Sequence, residues 1–181
     1  MNKTIAADLY RHFGLKGTRG LIKGWFYPGF RYTFLFRKVS MHKRNSAVGL
    51  FYRILLKRYR FKYGFEINPD ASIGEGFYLT SHCGPVIIGP IHMGKNCNVS
   101  HSVTIGRGIG ENRKGRPTIK DNVWIGAGSV LVGKIHIGQN VLIAPNSFVN
   151  FDVPDNSVVI GSPGRIIPKE NPTKYYINFQ V

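Results

Sequence analysis

Histidines are the residues of this sequence best suited to chemistry near neutral pH, because a histidine side chain can both take and release a proton there. The six histidines are His12, His42, His82, His92, His101 and His136. Cys83 follows His82 directly, which raises the question of a Cys–His nucleophile. Neighbours on an extended strand point to opposite faces, however. We therefore predict that Cys83 is a small buried apolar residue rather than a nucleophile.

A repeat of six residues indicates the elements that position these histidines. Aliphatic residues recur at this interval in three runs: Ile67, Ile73, Leu79; Ile87, Met93, Val99, Ile105; and Ile119, Ile125, Leu131, Ile137, Ile143, Val149. A period of six fits neither an α-helix nor simple strand alternation. It fits a short strand plus a turn that forms one side of a prism, whose coils are stabilised by stacking on one another. The pattern therefore favours a β-helix over a β-sandwich with coincidental spacing.

Two interruptions of the repeat mark places where side chains can leave the prism. The step from Leu79 to Ile87 is eight residues long, and His82 lies within it. The step from Ile105 to Ile119 is fourteen residues long and contains the Gly-, Arg- and Lys-rich segment 107–116. We predict a solvated loop there, and loops on rigid scaffolds often carry binding groups.

The positive charge of the chain is concentrated in its first third. The sequence has a formal net charge of +16, and residues 1–65 hold 15 Lys and Arg residues against a single acid, Asp8. This asymmetry predicts a basic segment at 1–64, the β-helix at 65–167 and a tail at 168–181. Two cysteines, no secretory signal and no long apolar stretch predict a cytoplasmic protein without a disulfide framework or a membrane span.

The basic segment is predicted to be partly helical. Between Asn45 and Tyr63 an apolar stripe has helical spacing and is surrounded by Arg and Lys; it consists of Phe51, Ile54, Leu55 and Tyr59. Such a helix is typical of a peripheral element drawn to anionic lipid at the inner membrane face. The alternative is a helical cap on the open end of the prism, and both can hold together. No nucleic-acid-binding motif accompanies the charge.

The segments GFEINPDASIG, SHCGPVIIG, NCNVSHSVTIG, IKDNVWIGAGS and VPDNSVVIGSPGRII resemble the hexapeptide-repeat acyltransferases, and within them the serine acetyltransferase branch. The chain is more similar still to the capsular and colanic-acid O-acetyltransferases of that branch. The resemblance implies a left-handed parallel β-helix and a homotrimer with sites between the prisms. It also implies acetyl-CoA as the co-substrate.

The resemblance assigns the catalytic roles to two residues. His82 becomes the general base and Glu66 the acid that orients it. Acetyl transfer from a thioester needs the acceptor hydroxyl to lose its proton as the new bond forms, and a neutral imidazole suits that step. A carboxylate on the other ring nitrogen would fix the tautomer. The positions implied for cofactor binding are Gly106, Ala127, Ala144 and Arg165.

The acceptor side of the site departs from the serine acetyltransferases. Ser81 stands where they have an aspartate, and Arg116 stands where they have a histidine; His101 is a further candidate for acceptor contact. No metal is expected, because His82, His101 and His136 lack the spacing of the three-histidine β-helical carbonic anhydrases.

These departures lead to the expected activity. We expect an O-acetyltransferase that acts on a hydroxyl of a surface polysaccharide or its precursor. Two alternatives stay open at this point: a serine O-acetyltransferase of cysteine biosynthesis, and a non-catalytic trimeric scaffold or binding module.

Overall fold

In a computed structural model, which describes residues 1–108 and 114–181, the chain forms four helices followed by a parallel β-helix. The helices are α1 (Lys3–Phe13), α2 (Gly17–Trp25), α3 (Pro28–Met41) and α4 (Ala47–Tyr63). Asn2 caps α1 and Ser46 caps α4 through their side-chain oxygens, while Gly14 and Gly64 end the same two helices in the left-handed conformation.

Three sheets form the sides of the β-helix. The first contains β1 (Phe65–Ile67), β4 (Val86–Ile88), β7 (Thr104–Gly106), β10 (Val130–Val132) and β13 (Phe148–Val149). The second contains β2 (Ser72–Ile73), β5 (His92–Met93), β8 (Thr118–Ile119) and β11 (His136–Ile137). The third contains β3 (Tyr78–Leu79), β6 (Asn98–Val99), β9 (Trp124–Ile125), β12 (Val141–Ile143), β14 (Ser157–Ile160) and β15 (Arg165–Pro168). All neighbouring strands are parallel except β14 and β15, so the predicted mainly β, parallel β-helical fold is confirmed.

The core is the stack of inward-facing aliphatic residues that the six-residue period predicted, with one exception. Ile87 is 45% exposed, whereas its neighbours Val86 and Ile88 are buried. Ile88 aligns with Ile67 and Ile105 in the first sheet and is the true inward residue. The prediction for Ile87 was wrong because the next inward-facing residue after Leu79 comes nine positions later, not eight. The inward-facing positions of β4 are therefore shifted by one residue.

Asparagines form one corner of the prism. Asn96, Asn122, Asn140 and Asn156 all have φ between 53° and 56°, and each backbone N–H donates to a carbonyl of the preceding coil. Asparagine tolerates this left-handed conformation better than other residues with a Cβ. The six-residue spacing of aliphatic residues does not reveal this asparagine ladder.

A buried ionic network joins the helices to the first coil. The Asp8 carboxylate of α1 accepts hydrogen bonds from Arg37 of α3, at 2.8 and 3.3 Å, and from the Phe77 backbone N–H at 2.8 Å. Arg37 also donates to the carbonyl oxygens of Ile73 and Gly74. Asp8 is 1% exposed and Arg37 6%. The acid of the basic segment is therefore fully engaged inside the protein.

Helix α4 packs through a face that differs in part from the predicted stripe. Leu55 and Tyr59 pack against the core, as do Tyr52 and Leu56. Phe51 and Ile54 are instead 56% and 60% exposed. The helix thus presents a second apolar face away from the prism.

The C-terminal tail returns along the outside of the β-helix. The Val181 N–H and carbonyl both bond to the Asn96 side-chain amide at 3.0 Å, and the Tyr176 carbonyl accepts from Asn98. Within the described ranges, no helix is long and apolar enough to cross a membrane. Residues 109–113 of the predicted solvated loop 107–116 lie outside the described residues.

Candidate active site

His82 and His101 lie together at a cleft on the outer face of the third sheet. Their ring centroids are 6.1 Å apart, and both side chains are exposed. The cleft encloses about 310 Å³. The residues that line it are Tyr78, Thr80, His82, Asn98, Val99, Ser100, His101, Trp124, Ala127 and Pro145. Two imidazoles at an open, partly apolar cleft can exchange protons with a bound hydroxyl compound.

The segment that carries His82 is held by the helices on one side. The Gly84 N–H donates to the Tyr63 carbonyl at 3.0 Å, and the Val86 N–H donates to the Gly64 carbonyl at 3.1 Å. Gly29, at the start of α3, lies so close to the end of β3 that a Cβ there would overlap the carbonyl oxygens of Leu79 and Thr80. The N-terminal helices therefore fix the position of the candidate base.

The floor of the cleft is supported from both ends of the chain. The His12 ring of α1 stacks on Tyr78 with centroids 4.4 Å apart, and it contacts the carbonyl oxygens of Asp8 and Leu79. Burial lowers the pKa of His12 to about 4, so this histidine is a neutral packing residue at neutral pH. On the other side, the tail places Tyr176 against Trp124 at 4.9 Å.

Glu66 occupies a different environment from the one its predicted role requires. It lies on β1 in the first sheet, and its carboxylate pairs with the Arg60 guanidinium at 2.7 Å. In this single chain, whose residues 66 and 82 are both described, no hydrogen bond joins Glu66 to His82. The orienting role of Glu66 therefore stays a prediction, and Arg60 is a partner that sequence reasoning missed.

The remaining predicted site residues are dispersed. Ala127 lines the His82 cleft, and Ala144 lies next to the cleft residue Pro145. Ser81 precedes His82 without lining the cleft, and Arg165 is exposed on β15 at the far end of the prism. Arg116 lines a separate depression, whose other lining residues are Arg107, Lys114 and Gly115.

Gly106 is open to the outside. A Cβ at Gly106 would meet no other atom within 4 Å, so nothing in this chain requires a glycine there. By contrast, a Cβ at Gly126 or Gly138 would approach the backbone of the next coil to within 2.6 Å.

The two cysteines differ in exposure. Cys83 is exposed rather than buried, because β3 ends at Leu79 and strand alternation does not extend to residue 83. Cys97 is buried, and burial raises its pKa to about 12. Among residues 1–108 and 114–181, no three His, Cys, Asp or Glu side chains are grouped so that they could hold a metal ion.

The repeat and the cleft define a class of protein. The family described as bacterial transferase hexapeptide (six repeats) matches residues 116–150. The serine acetyltransferase of Synechococcus elongatus is 34% identical over 169 residues, which cover 92% of this chain and 69% of that enzyme. The chain belongs to the serine acetyltransferase family, and the members of this family are acetyl-CoA-dependent O-acetyltransferases. The expected enzyme class and co-substrate are thereby confirmed.

Solved structures agree with this assignment. The Neisseria gonorrhoeae serine acetyltransferase superposes with a TM-score of 0.76 at 27% identity, covering 93% of this chain and 66% of that one. The Brucella abortus enzyme in complex with coenzyme A gives a TM-score of 0.74 at 27% identity, covering 92% and 67%. The chain spans about half, 53%, of two Bacillus relatives that it also matches.

The expected polysaccharide acceptor is wrong, because these relatives are serine acetyltransferases. The expectation depended on the departures at positions 81 and 116. Neither Ser81 nor Arg116 lines the His82 cleft, and the superposed structures cover the N-terminal helices as well as the prism. The scaffold alternative is not supported either, since the family is enzymatic.

Proposed function

We propose that this protein is a serine O-acetyltransferase, which transfers the acetyl group of acetyl-CoA to the hydroxyl of L-serine. The observation that carries the proposal is the pair of exposed histidines, His82 and His101, at one cleft of a chain of this family. The Neisseria gonorrhoeae enzyme in complex with serine, a neighbour at 27% identity, adds support for the acceptor.

In the proposed reaction the His82 imidazole takes the proton of the serine hydroxyl as the oxygen attacks the thioester carbonyl. The tetrahedral intermediate then collapses, the bond from carbon to sulfur breaks, and the imidazolium returns the proton to the leaving thiolate. The products are O-acetylserine and free CoA, and His82 ends in its starting state. His101, with its ring 6.1 Å away, is the proposed acceptor contact.

The proposed path of acetyl-CoA passes Gly106, which ends β7 of the first sheet, and Ala127 and Ala144, which follow β9 and β12 of the third sheet, with Arg165 as a candidate phosphate contact. The support for this path is the open space at Gly106, where this chain alone does not require a glycine. We propose a homotrimer in which a neighbouring prism supplies the second wall. Glu66 would orient His82 in that assembly.

The test is the release of CoA thiol from acetyl-CoA by the purified full chain when L-serine is added. We expect turnover that saturates with L-serine. In a separate measurement, light scattering should give the mass of three chains. L-alanine is one control, because it has no hydroxyl to accept the acetyl group. D-serine is a second control, which tests whether the site distinguishes the configuration of the acceptor. Thiol release that is equal with L-alanine and L-serine would contradict the proposed acceptor.

We also propose that the outer face of α4 contacts an anionic membrane surface. Four side chains on this face are between 56% and 75% exposed: Leu50, Phe51, Ile54 and Phe61. Lys57 and Arg58 flank them and are exposed too. Apolar side chains that enter the headgroup region, next to cations that bind anionic lipid, form a peripheral membrane element.

Co-sedimentation with lipid vesicles tests this contact. We expect the protein to pellet with vesicles that contain phosphatidylglycerol at low salt and to stay in solution with phosphatidylcholine alone. Phe51→Ser combined with Phe61→Ser should release it. Tyr175→Ser, which removes an aromatic ring 82% exposed on the C-terminal tail, is the matched control and should pellet like the wild type. Equal pelleting with neutral vesicles would contradict the proposal.

A further inference from the structure

A second cleft lies between α4 and the first sheet, apart from the His82 cleft. It encloses about 320 Å³, which is at the low end of the range for small-molecule sites. It is lined by Tyr32, Arg53, Leu56, Lys57, Arg60, Glu66, Ile67, Asn68, Pro69, Ile87, Ile88 and Gly89. The two clefts share none of their lining residues.

The helix wall of this cleft is basic. Arg53, Lys57 and Arg60 are spaced by four and three residues, so they lie on one face of α4. Like charges at this spacing destabilise a helix. Glu66 is the acidic residue among the lining side chains, and it pairs with Arg60 at 2.7 Å. The lining of the cleft therefore holds three cations and a single carboxylate.

Arg53 has a donor that the protein leaves unused. Its Nε is buried and makes no hydrogen bond. A buried donor without a partner carries a desolvation cost, and in native structures such a group is commonly explained by a missing ligand or water. The Asp8 carboxylate cannot serve here, because it is buried against Arg37.

The opposite wall is apolar. Ile87, which is 45% exposed, and the buried Ile88 lie on this wall in β4, and the buried Leu56 adds apolar surface from α4. The Tyr32 hydroxyl, which accepts a hydrogen bond from the Ile67 N–H, closes the inner end. Burial raises the pKa of Tyr32 to about 12, so it remains a neutral phenol. A matching ligand has an oxyanion at one end and an apolar body at the other.

From these observations we propose that the cleft binds a small organic oxyanion, a phosphate or a carboxylate with an apolar body. The oxyanion accepts hydrogen bonds from Arg53 and Lys57, and its apolar body lies against Ile87. It competes with Glu66 for Arg60. The site shares Glu66 with the proposed catalytic machinery, but its test does not rest on the proposed activity, since binding is measured without acetyl-CoA or serine.

Binding of phenyl phosphate, benzoate and inorganic phosphate to the full chain tests the site by titration calorimetry. We expect phenyl phosphate or benzoate to bind at least several-fold more tightly than inorganic phosphate, because only the first two have an apolar body. Whichever of these two probes binds more tightly identifies the preferred oxyanion as a phosphate or a carboxylate. Arg53→Gln should weaken its binding about tenfold or more, as for a lost charged hydrogen bond.

Arg58→Gln is the matched control, because it removes the same charge from the exposed, opposite side of α4 without touching the cleft. It should change affinity less than about twofold. A thermal melt confirms that both variants fold. Equal weakening in the two variants would show general attraction to a basic surface and would overturn the proposal, as would the absence of any binding by the three probes.

Discussion

Replacing His82 with alanine is expected to lower kcat for acetyl transfer to L-serine by a factor of about 10² to 10⁴, the usual contribution of a general base. The side chain is exposed at the cleft and is not part of the buried core. The variant should therefore fold normally and bind acetyl-CoA with nearly unchanged affinity. Steady-state kinetics at saturating serine measure the effect on kcat, and calorimetry with CoA measures binding.

His92→Ala is the control for that measurement. His92 is an exposed histidine on β5 in the second sheet, on a different side of the prism. We expect its kcat to stay within about twofold of the wild type, because it lines neither cleft. If His82→Ala retained more than a tenth of the wild-type kcat, the assignment of His82 as the base would be wrong.

The largest loss of stability is expected from Asp8→Asn. The substitution leaves the Arg37 guanidinium buried without its counter-charge, and breaking one partner of a buried ion pair typically costs about 3–5 kcal/mol. It also weakens the acceptor of the Phe77 N–H, so the attachment of α1 and α3 to the first coil is affected. Urea unfolding followed by circular dichroism measures the change in the free energy of unfolding.

Asp155→Asn makes the matching surface change. Asp155 pairs with Lys120 at 3.2 Å, and the two side chains are 40% and 60% exposed. Such pairs contribute about 0–1 kcal/mol. A loss in Asp8→Asn no greater than the loss in Asp155→Asn would contradict the buried network as the element that attaches the helices.

The fold could be predicted largely from one feature, the six-residue period, because each coil repeats the same packing problem. The failures have local physical causes. Ile87 was placed in the core because the interruption before it shifts the register by one residue, and an interruption of unknown shape hides such a shift. The corner asparagines were overlooked because their left-handed conformation has no signature other than residue type. The stripe on α4 mixed two faces, since periodicity shows that a face is apolar without showing what covers it.

The candidate site was predictable in its centre and less so around it. His82 could be singled out because it matches the family motif and lies in an irregularity of the repeat, and His101 and Ala127 do lie at the same cleft. The pairing of Glu66 with Arg60 depends on how α4 lies against β1, which no local pattern reveals. The basic cleft was missed for the same reason. The sequence shows its three cations, Arg53, Lys57 and Arg60, at helical spacing. It does not show that β1 and β4 form the wall that faces them.

The acceptor is the central claim, and identification of the product tests it most directly. The full chain is incubated with acetyl-CoA labelled with ¹³C in the acetyl group and with L-serine, and the mixture is followed by NMR. We predict that the label appears in O-acetyl-L-serine in a one-to-one ratio with free CoA, and that His82→Ala suppresses the signal. Retention of all the label in acetyl-CoA, by a chain that binds CoA, would contradict the assignment of L-serine as the acceptor.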